Sequence, residues 1–253
     1  MPTFQFVGRV LPDAFPVNLE TPPINISNGK NLLETTLQLT IKNCAIIIEG
    51  SSNRYKGGDF GLILVRALHI ANSATGLIGF ALGVGVRPIL DEFIDPDGTH
   101  MPILPLEKRL QKHCTVYTVE NKTTDTFDAV YRKVATTPAL FLALTDLVTG
   151  LYQPAEGPIV CARAIETLRN HFSPSGLEPR ERWPYLHNAL KVTSDYLRPI
   201  TDISVGPRHG ARTSALEGDL AVVSERSWII MNRALELVMR GVTDLPVAEY
   251  PVL

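Results

Sequence analysis

The chain has 253 residues, 45% of them hydrophobic and 20% charged, with a formal net charge of −2 at pH 7. That length and apolar content can bury one large core or two modest ones, which excludes a wholly disordered chain. The charge gives no chain-wide attraction for nucleic acid, so RNA binding would have to come from a local basic patch.

The predicted elements begin with "FQFVGRV" (4–10), whose alternation is that of a strand, followed by a Pro/Asn-punctuated loop over 12–31. "TTLQLTIKNCAIIIEG" (35–50) is strongly β-branched, and its polar and apolar positions change phase at Lys42 and Asn43, where a hairpin turn or a bulge is expected. From Asp59, a candidate N-cap, "FGLILVRALHIANSATGLIGF" has the length of a helix. Ala67–Val86 carries no Asp, Glu, Lys or Arg and lies between Arg66 and Arg87, which is long enough to span a membrane. His69, Asn72, Ser73 and Thr75 crowd its first half, however, and its end reads as the start of a strand, so the expectation is a buried helix running into a strand. "VGVRPILDEFIDPDGTH" predicts that strand and then a turn at Asp95–Gly98, and "KHCTVYTVEN" (112–121) alternates as a closing strand.

Beyond about residue 122 the pattern turns helical. Phe127, Val130, Tyr131 and Val134 form a stripe; Pro138 fits the first turn of a helix that Gly150 would end; Pro158 opens another, with Cys161, Ile165, Leu168 and Phe172 on one face. Trp183, Leu186, Leu190 and Leu197 align on one helix, and Trp228, Met231, Leu235 and Met239 on a last long one. The fold class is therefore α+β: a mixed β/α N-terminal domain over 1–122, then a four- to five-helix antiparallel bundle over 123–253.

Cys44, Cys114 and Cys161 are odd in number, far apart and form no C-x-x-C pair, which argues against a disulfide scaffold or a zinc knuckle and for a reducing cytosol. The stretch "MPTFQFVGRVLPDAF" lacks the basic-then-apolar order of a secretory leader, so a cytoplasmic location without membrane attachment is expected. No P-loop, dinucleotide fingerprint, G-x-S-x-G, H-E-x-x-H or EF-hand loop occurs, and no two of the six histidines stand at i, i+2 or i, i+4. No cofactor and no metal ligands are expected.

What remains is arginine and histidine chemistry. "SVGPRHGART" (204–213) gathers Arg208, His209 and Arg212 in a Pro/Gly-punctuated loop before the last helix. Neighbouring guanidinium groups would keep the His209 imidazole neutral and able to act as a base, with Arg208 stabilising an anion; the other reading is a staple onto backbone carbonyls. Arg182-x4-His187 puts a cation and an imidazole on adjacent helical turns, the pair needed to bind and cleave a phosphodiester, although His187 shares its helix with core residues. In "CARAIETLRNHF", Glu166 and Arg169 share a face and Arg163 stands beside Glu166, so Glu166 could orient an arginine and Arg163, Arg169 and Arg212 could hold an anion or RNA. Arg226, Arg233 and Arg240, seven apart, read as a wet basic line on the last helix.

"CARAIETLRNHF", then Trp183 and "LHNAL", then "RHG" ahead of a helix with "RSWII" resembles the C-terminal helical part of bacterial HEPN-type proteins, over roughly 126–245. That resemblance implies a helical bundle with an Arg-x4-6-His motif, found in dimeric, metal-independent ribonucleases of toxin–antitoxin and phage-defence systems. Arg182 and His187 have that spacing, whereas Arg208 and His209 are adjacent. Two functions follow: a non-catalytic interaction or defence-type protein that binds a protein partner or a second copy of itself, or a ribonuclease using an Arg/His pair.

Overall fold

Alternation along "TFQFVGRVL" and "ETTLQLTIK" puts every second side chain on one face of a sheet, and the computed structural model of the chain shows that sheet. It describes residues 1–13, 16–27, 33–103, 108–117, 125–153, 156–208 and 217–253. The chain divides into two units, Met1–Leu104 and Pro105–Leu253. The α+β class, β-rich first and helical second, holds.

The first unit comprises β1 (Thr3–Leu11), β2 (Leu19–Glu20), β3 (Ile24–Ser27), β4 (Glu34–Lys42), β5 (Ala45–Ser52), α1 (Phe60–Leu82), β6 (Arg87–Ile94) and β7 (His100–Pro102). The strands form one antiparallel sheet in the order β2-β4-β5-β1-β6-β7, with β3 also paired to β4. β2 and β3 lie in the stretch expected to be loop; they are short and edge-bound, which is why Pro and Asn do not exclude them. The β4–β5 turn is Asn43-Cys44, both in left-handed conformation (φ 47° and 67°), so the phase change at Lys42–Asn43 marks a hairpin turn.

The buried face carries Phe4, Phe6, Leu37, Leu39, Ile46, Ile48 and Phe93, and α1 lies on it through Ile63, Ala67, Ile70, Ala71 and Ala74. Among the described residues, α1 is the one helix long and apolar enough by itself to cross a membrane. Its inner face is instead packed against β-strand side chains, and Arg66 on that face, 5% exposed, donates from Nη1 to the Leu33 carbonyl at 3.0 Å and to Thr35 Oγ1. The helix ends at Gly83, left-handed at φ 65°, and the chain runs on into β6 as its sequence predicts.

The second unit contains α2 (Lys108–Gln111), α3 (Asp125–Thr136), α4 (Pro138–Tyr152), α5 (Gly157–His171), a 3-10 turn at Pro179–Arg182, α6 (Trp183–Leu190), α7 (Ser194–Arg208) and α8 (Glu217–Arg240). α5 runs through the middle, against α4, α7 and α8, and its face of Cys161, Ile165 and Leu168 is fully buried, as the stripe predicts. α3 and α4 are bent by 105° to each other across Thr137.

Several local expectations give way. The described part of the expected closing strand, 112–117, contains no strand: His113 Nε2 meets Glu225 Oε1 at 2.8 Å, and the Thr115 N–H donates to Asn232 Oδ1 at 2.8 Å, so this segment follows α8. Its alternation matched a strand, but polar anchors decide where it lies. The helix expected across Trp183 to Leu197 is two, because Lys191 takes a left-handed conformation (φ 54°) and ends α6. Gly150 lies inside α4, opposite Val160, rather than at its end. α7 continues through Ser204 to Arg208, so the first half of "SVGPRHGART" is helical. Tyr131, expected in the core, is 63% exposed.

The basic line on α8 is wet surface only at Arg240, which is exposed. Arg233, 6% exposed, donates from Nη1 to the carbonyls of Leu190 (2.9 Å) and Lys191 (2.8 Å), and from Nη2 to that of Pro251 (2.9 Å). Arg226 Nη1 reaches the Tyr196 carbonyl at 2.6 Å, and Arg240 pairs with Glu249 at 2.8 Å.

Gly8 is where β1 slips by one residue against β6: Val7 pairs with Glu92, the next pair is Gly8 with Leu90, and Asp91 is the extra residue of a bulge. A Cβ at Gly8 would lie 2.1 Å from the Ile89 carbonyl oxygen, an atom that cannot rotate away. Gly8→Ala should therefore cost about 3 kcal/mol, at the upper end for overpacking. Gly58→Ala, with nothing within 4 Å, should leave stability within about 0.5 kcal/mol of wild type. Urea unfolding of the two variants beside wild type checks the pair, and equal midpoints for both would refute it.

Candidate functional site

The sequence singles out eight residues for chemistry, and the second unit brings three of them together. Arg169 ends the polar face of α5, Arg182 closes the 3-10 turn, and His187 stands one turn into α6. Asn170 and Trp183 join them. Arg169 lies over the Trp183 ring, 4.7 Å from its centroid, and reaches Asn170 Oδ1 from Nη2 at 3.1 Å. Arg182 reaches the same oxygen from Nη1 at 3.2 Å. Trp183 faces His187 with ring centroids 6.2 Å apart.

The turn itself explains why Arg182 is there. Pro179 starts the 3-10 turn, and the Glu181 carboxylate receives the Glu178 N–H at 2.9 Å. Arg182 Nε and Nη2 then both donate to the Leu177 carbonyl, at 2.9 and 2.7 Å. That Nε/Nη2 edge is the side of a guanidinium that fits a phosphate in two-pronged fashion. Here it is committed to the main chain. The hydroxyl of Ser173 donates to the carbonyls of Arg169 (2.6 Å) and Arg182 (3.1 Å), tying the connection closed.

His187 packs against Trp183, and one of its ring nitrogens is closed to proton transfer. Its Nε2 is buried and, among the described residues, has no hydrogen-bond partner. Burial pushes its pKa below the usual 6.5, so the ring is neutral at pH 7. A general base must come within about 3 Å of the proton it takes, and a sealed nitrogen offers no such approach.

The remaining candidates lie elsewhere. Arg163 gives Nε to Asp146 Oδ2 at 2.7 Å and Nη2 to Oδ1, so the carboxylate that orients it is Asp146 of α4, 8% exposed. This hydrogen bonding holds the Arg163 proton more firmly than usual. Glu166 is half-buried on α5. Arg208 is the last residue of α7, with its side chain outside the described residues, and His209 and Arg212 lie outside them altogether. Cys161 is no nucleophile, since burial pushes its thiol up to about 11. Among the described residues, no group of three or more His, Cys, Asp or Glu side chains could hold a metal ion.

Sequence reasoning missed Asp146, Asn170 and the carbonyl role of Arg182. Asp146 had a visible signal: it is the sole charge in "PALFLALTDLVTGLY" and so needed a partner wherever that helix was buried. Asn170 and the Leu177 carbonyl had none, because a backbone acceptor has no sequence signature.

Arg182→Ala should remove a structural clasp. We expect a loss of about 1–2 kcal/mol by thermal unfolding, the lower part of the range for bonds to a charged donor because the side chain is partly exposed. His187 sets a pH dependence. Its folded pKa lies below the unfolded value, so the unfolded state takes up the proton first and stability falls as pH drops below about 6.5. His171, lowered by burial as well, adds a slope of the same sign. His187→Gln should therefore flatten, though not abolish, the loss of melting temperature between pH 7 and 5; a slope unchanged from wild type would contradict this.

Two family models match the chain: the N-terminal domain of DUF8168, a domain of unknown function, over residues 4–104, and the C-terminal domain of DUF8168 over residues 127–239. No curated protein and no solved structure matches it. The two matches follow the two units in order and together take in most of the sequence, so the chain belongs to the two-domain DUF8168 family.

Proposed function

We propose that this is a cytoplasmic, non-catalytic interaction protein of the defence type whose helical unit pairs with a second copy of the chain. The observation that carries the first half is the state of the one Arg-x4-His pair: the phosphate-binding edge of Arg182 is committed to the Leu177 carbonyl, and Nε2 of His187 is sealed. A guanidinium edge so held is withdrawn from phosphorane stabilisation, and a nitrogen so sealed from proton transfer. The packing of α1 against the sheet supports a protein that works off the membrane.

The pairing rests on α4. Phe141, Leu142, Thr145, Val148 and Tyr152 follow helical spacing along its outer face; the four large ones are 40% to 55% exposed, and none carries a charge. A two-fold contact sets a patch against its own copy, and an uncharged patch can meet itself without repulsion. α3, bent away from α4, adds complementarity at the rim: Asp125 and Asp128 lie in its first turn, Lys133 in its last with Arg132 just before it, all exposed. A two-fold axis reverses the helix, which would bring the acidic turn of one copy to the basic turn of the other. The HEPN-like pattern of this half of the chain implies dimerisation too.

Sedimentation of the full chain should show a dimer, and Phe141→Glu should weaken it by at least about tenfold, equivalent to about 1.4 kcal/mol. In parallel, total RNA incubated with the protein, with and without EDTA, should come through intact. A wild-type monomer at every concentration would overturn the pairing. Reproducible RNA fragments lost on His209→Ala would overturn the non-catalytic reading in favour of the ribonuclease.

A further inference from the structure

The outward face of the first unit's sheet holds a cleft of about 650 Å³ that no part of the proposed function uses. Its floor is set by register. Across β4, β5 and β1, Gln38, Glu49 and Gln5 stand in one cross-strand row, and Thr36, Ser51 and Thr3 in the next. Directly opposed side chains in such rows lie about 5 Å apart, so the Glu49 carboxylate has an amide on either side. One wall is Pro23, ahead of β3; the other is the turn after β6. That turn is stiff: Asp95 Oδ1 accepts the N–H groups of Asp97 (2.9 Å) and Thr99 (2.8 Å).

The chemistry of this floor is one-sided. Thr36 has its hydroxyl proton committed to Asn25 Oδ1 at 2.6 Å, and the Gln38 amide nitrogen faces Glu20 Oε1 at 3.4 Å. The Thr36 hydroxyl proton and one Gln38 N–H are thus turned to neighbouring strands, and the oxygens of both side chains are free to accept. Glu49 is acceptor-only when ionised and, among the described residues, pairs with no cation. No Lys, Arg or His lines the cleft, while Glu49 and Asp95 both do.

A concave surface of this volume with two carboxylates, several acceptor oxygens and no cationic side chain complements a flat or tetrahedral cationic group rich in N–H. We propose that the sheet cleft binds an organic cation through its guanidinium or ammonium group, with Glu49 as the counter-charge and the Gln5, Gln38 and Thr36 oxygens as flanking acceptors. Ile94, Pro23 and Pro96 supply apolar wall for a short carbon chain. The group could arrive on a free diamine or guanidino compound, or as the side chain of an arginine in a peptide; the chemistry at Glu49 is the same.

The inference does not depend on dimerisation or on the absence of catalysis, and its test is separate from both. Full-length protein is titrated by calorimetry with agmatine, with n-butylurea as an uncharged urea analogue of its guanidinium arm, and with an acetylated, amidated Gly-Arg-Gly peptide. Agmatine or the peptide should bind saturably and one-to-one, and the urea analogue at least about tenfold more weakly. Tighter binding of agmatine identifies a free small cation as the ligand, and tighter binding of the peptide identifies an arginine side chain. Glu49→Gln, an exposed and nearly isosteric change, should weaken the preferred cation at least about tenfold, while its unfolding midpoint stays at the wild-type value. Asp202→Asn, an exposed carboxylate on α7 that does not line the cleft, should bind like wild type. Absence of saturable binding by both cations, equal binding of the urea analogue, or undiminished binding by Glu49→Gln would overturn the proposal.

Discussion

Arg233 carries three main-chain carbonyls on one buried guanidinium, those of Leu190, Lys191 and Pro251. The end of any helix leaves its last carbonyls without partners, and a buried end must find donors or pay a desolvation penalty. α6 ends in the interior at Lys191, whose left-handed turn makes the continuing helix impossible. The C-terminal segment comes alongside, with the Thr193 N–H donating to the Leu253 carbonyl at 2.8 Å and the Leu253 N–H to that of Lys191 at 3.0 Å. Arg233 closes this junction from α8. A planar fork with five donors spread over three nitrogens serves three acceptors that converge from two segments, where a lysine would gather its three donors on one atom.

The same device recurs. Arg66 ties α1 to the chain ahead of β4 through the Leu33 carbonyl, Arg226 ties α8 to the start of α7 through that of Tyr196, and Arg182 ties its 3-10 turn to Leu177. Four arginines so engaged are withdrawn from any basic surface. What the surface does offer is an uncharged helical face on α4 and an acceptor-rich sheet cleft.

Periodicity made the elements legible and left the junctions dark. The strands β1, β4, β5 and β6, the helix α1 and the buried stripe of α5 follow from spacing alone, because one-sided burial forces the period. The α6–α7 break was not legible, since Lys191 is an unremarkable residue and its left-handed conformation is imposed by the carbonyl junction around it. The segment 112–117 misled for a related reason: its alternation fits a strand, but His113 and Thr115 find polar partners on α8 more than a hundred residues away. The candidate site was half legible. Arg182 and His187 were picked out by residue type and spacing, and the structure does bring them near Arg169; their partners, a backbone carbonyl and an apolar seal, leave no trace in a motif. The cleft on the sheet could not be seen at all, because it depends on the registers of three strands.

α4 shows how far burial reasoning reaches. Its inner face, Leu140, Ala143, Asp146 and Leu147, is buried in the unit's core, and its one charge is neutralised by Arg163. Its outer face is apolar as well. A helix that is hydrophobic all round belongs in an interior, yet in a single copy half of this one faces water. Exposed large side chains standing singly need no explanation, but four in helical register without an intervening charge form a contiguous patch of the kind that marks an interface. Natural surfaces suppress such a patch with a single lysine or glutamate, and here Thr145 and Thr149, small and uncharged, sit where that gatekeeper would stand. The composition of α4 is therefore that of a helix covered on both sides, and the second side is what the proposed partner copy supplies.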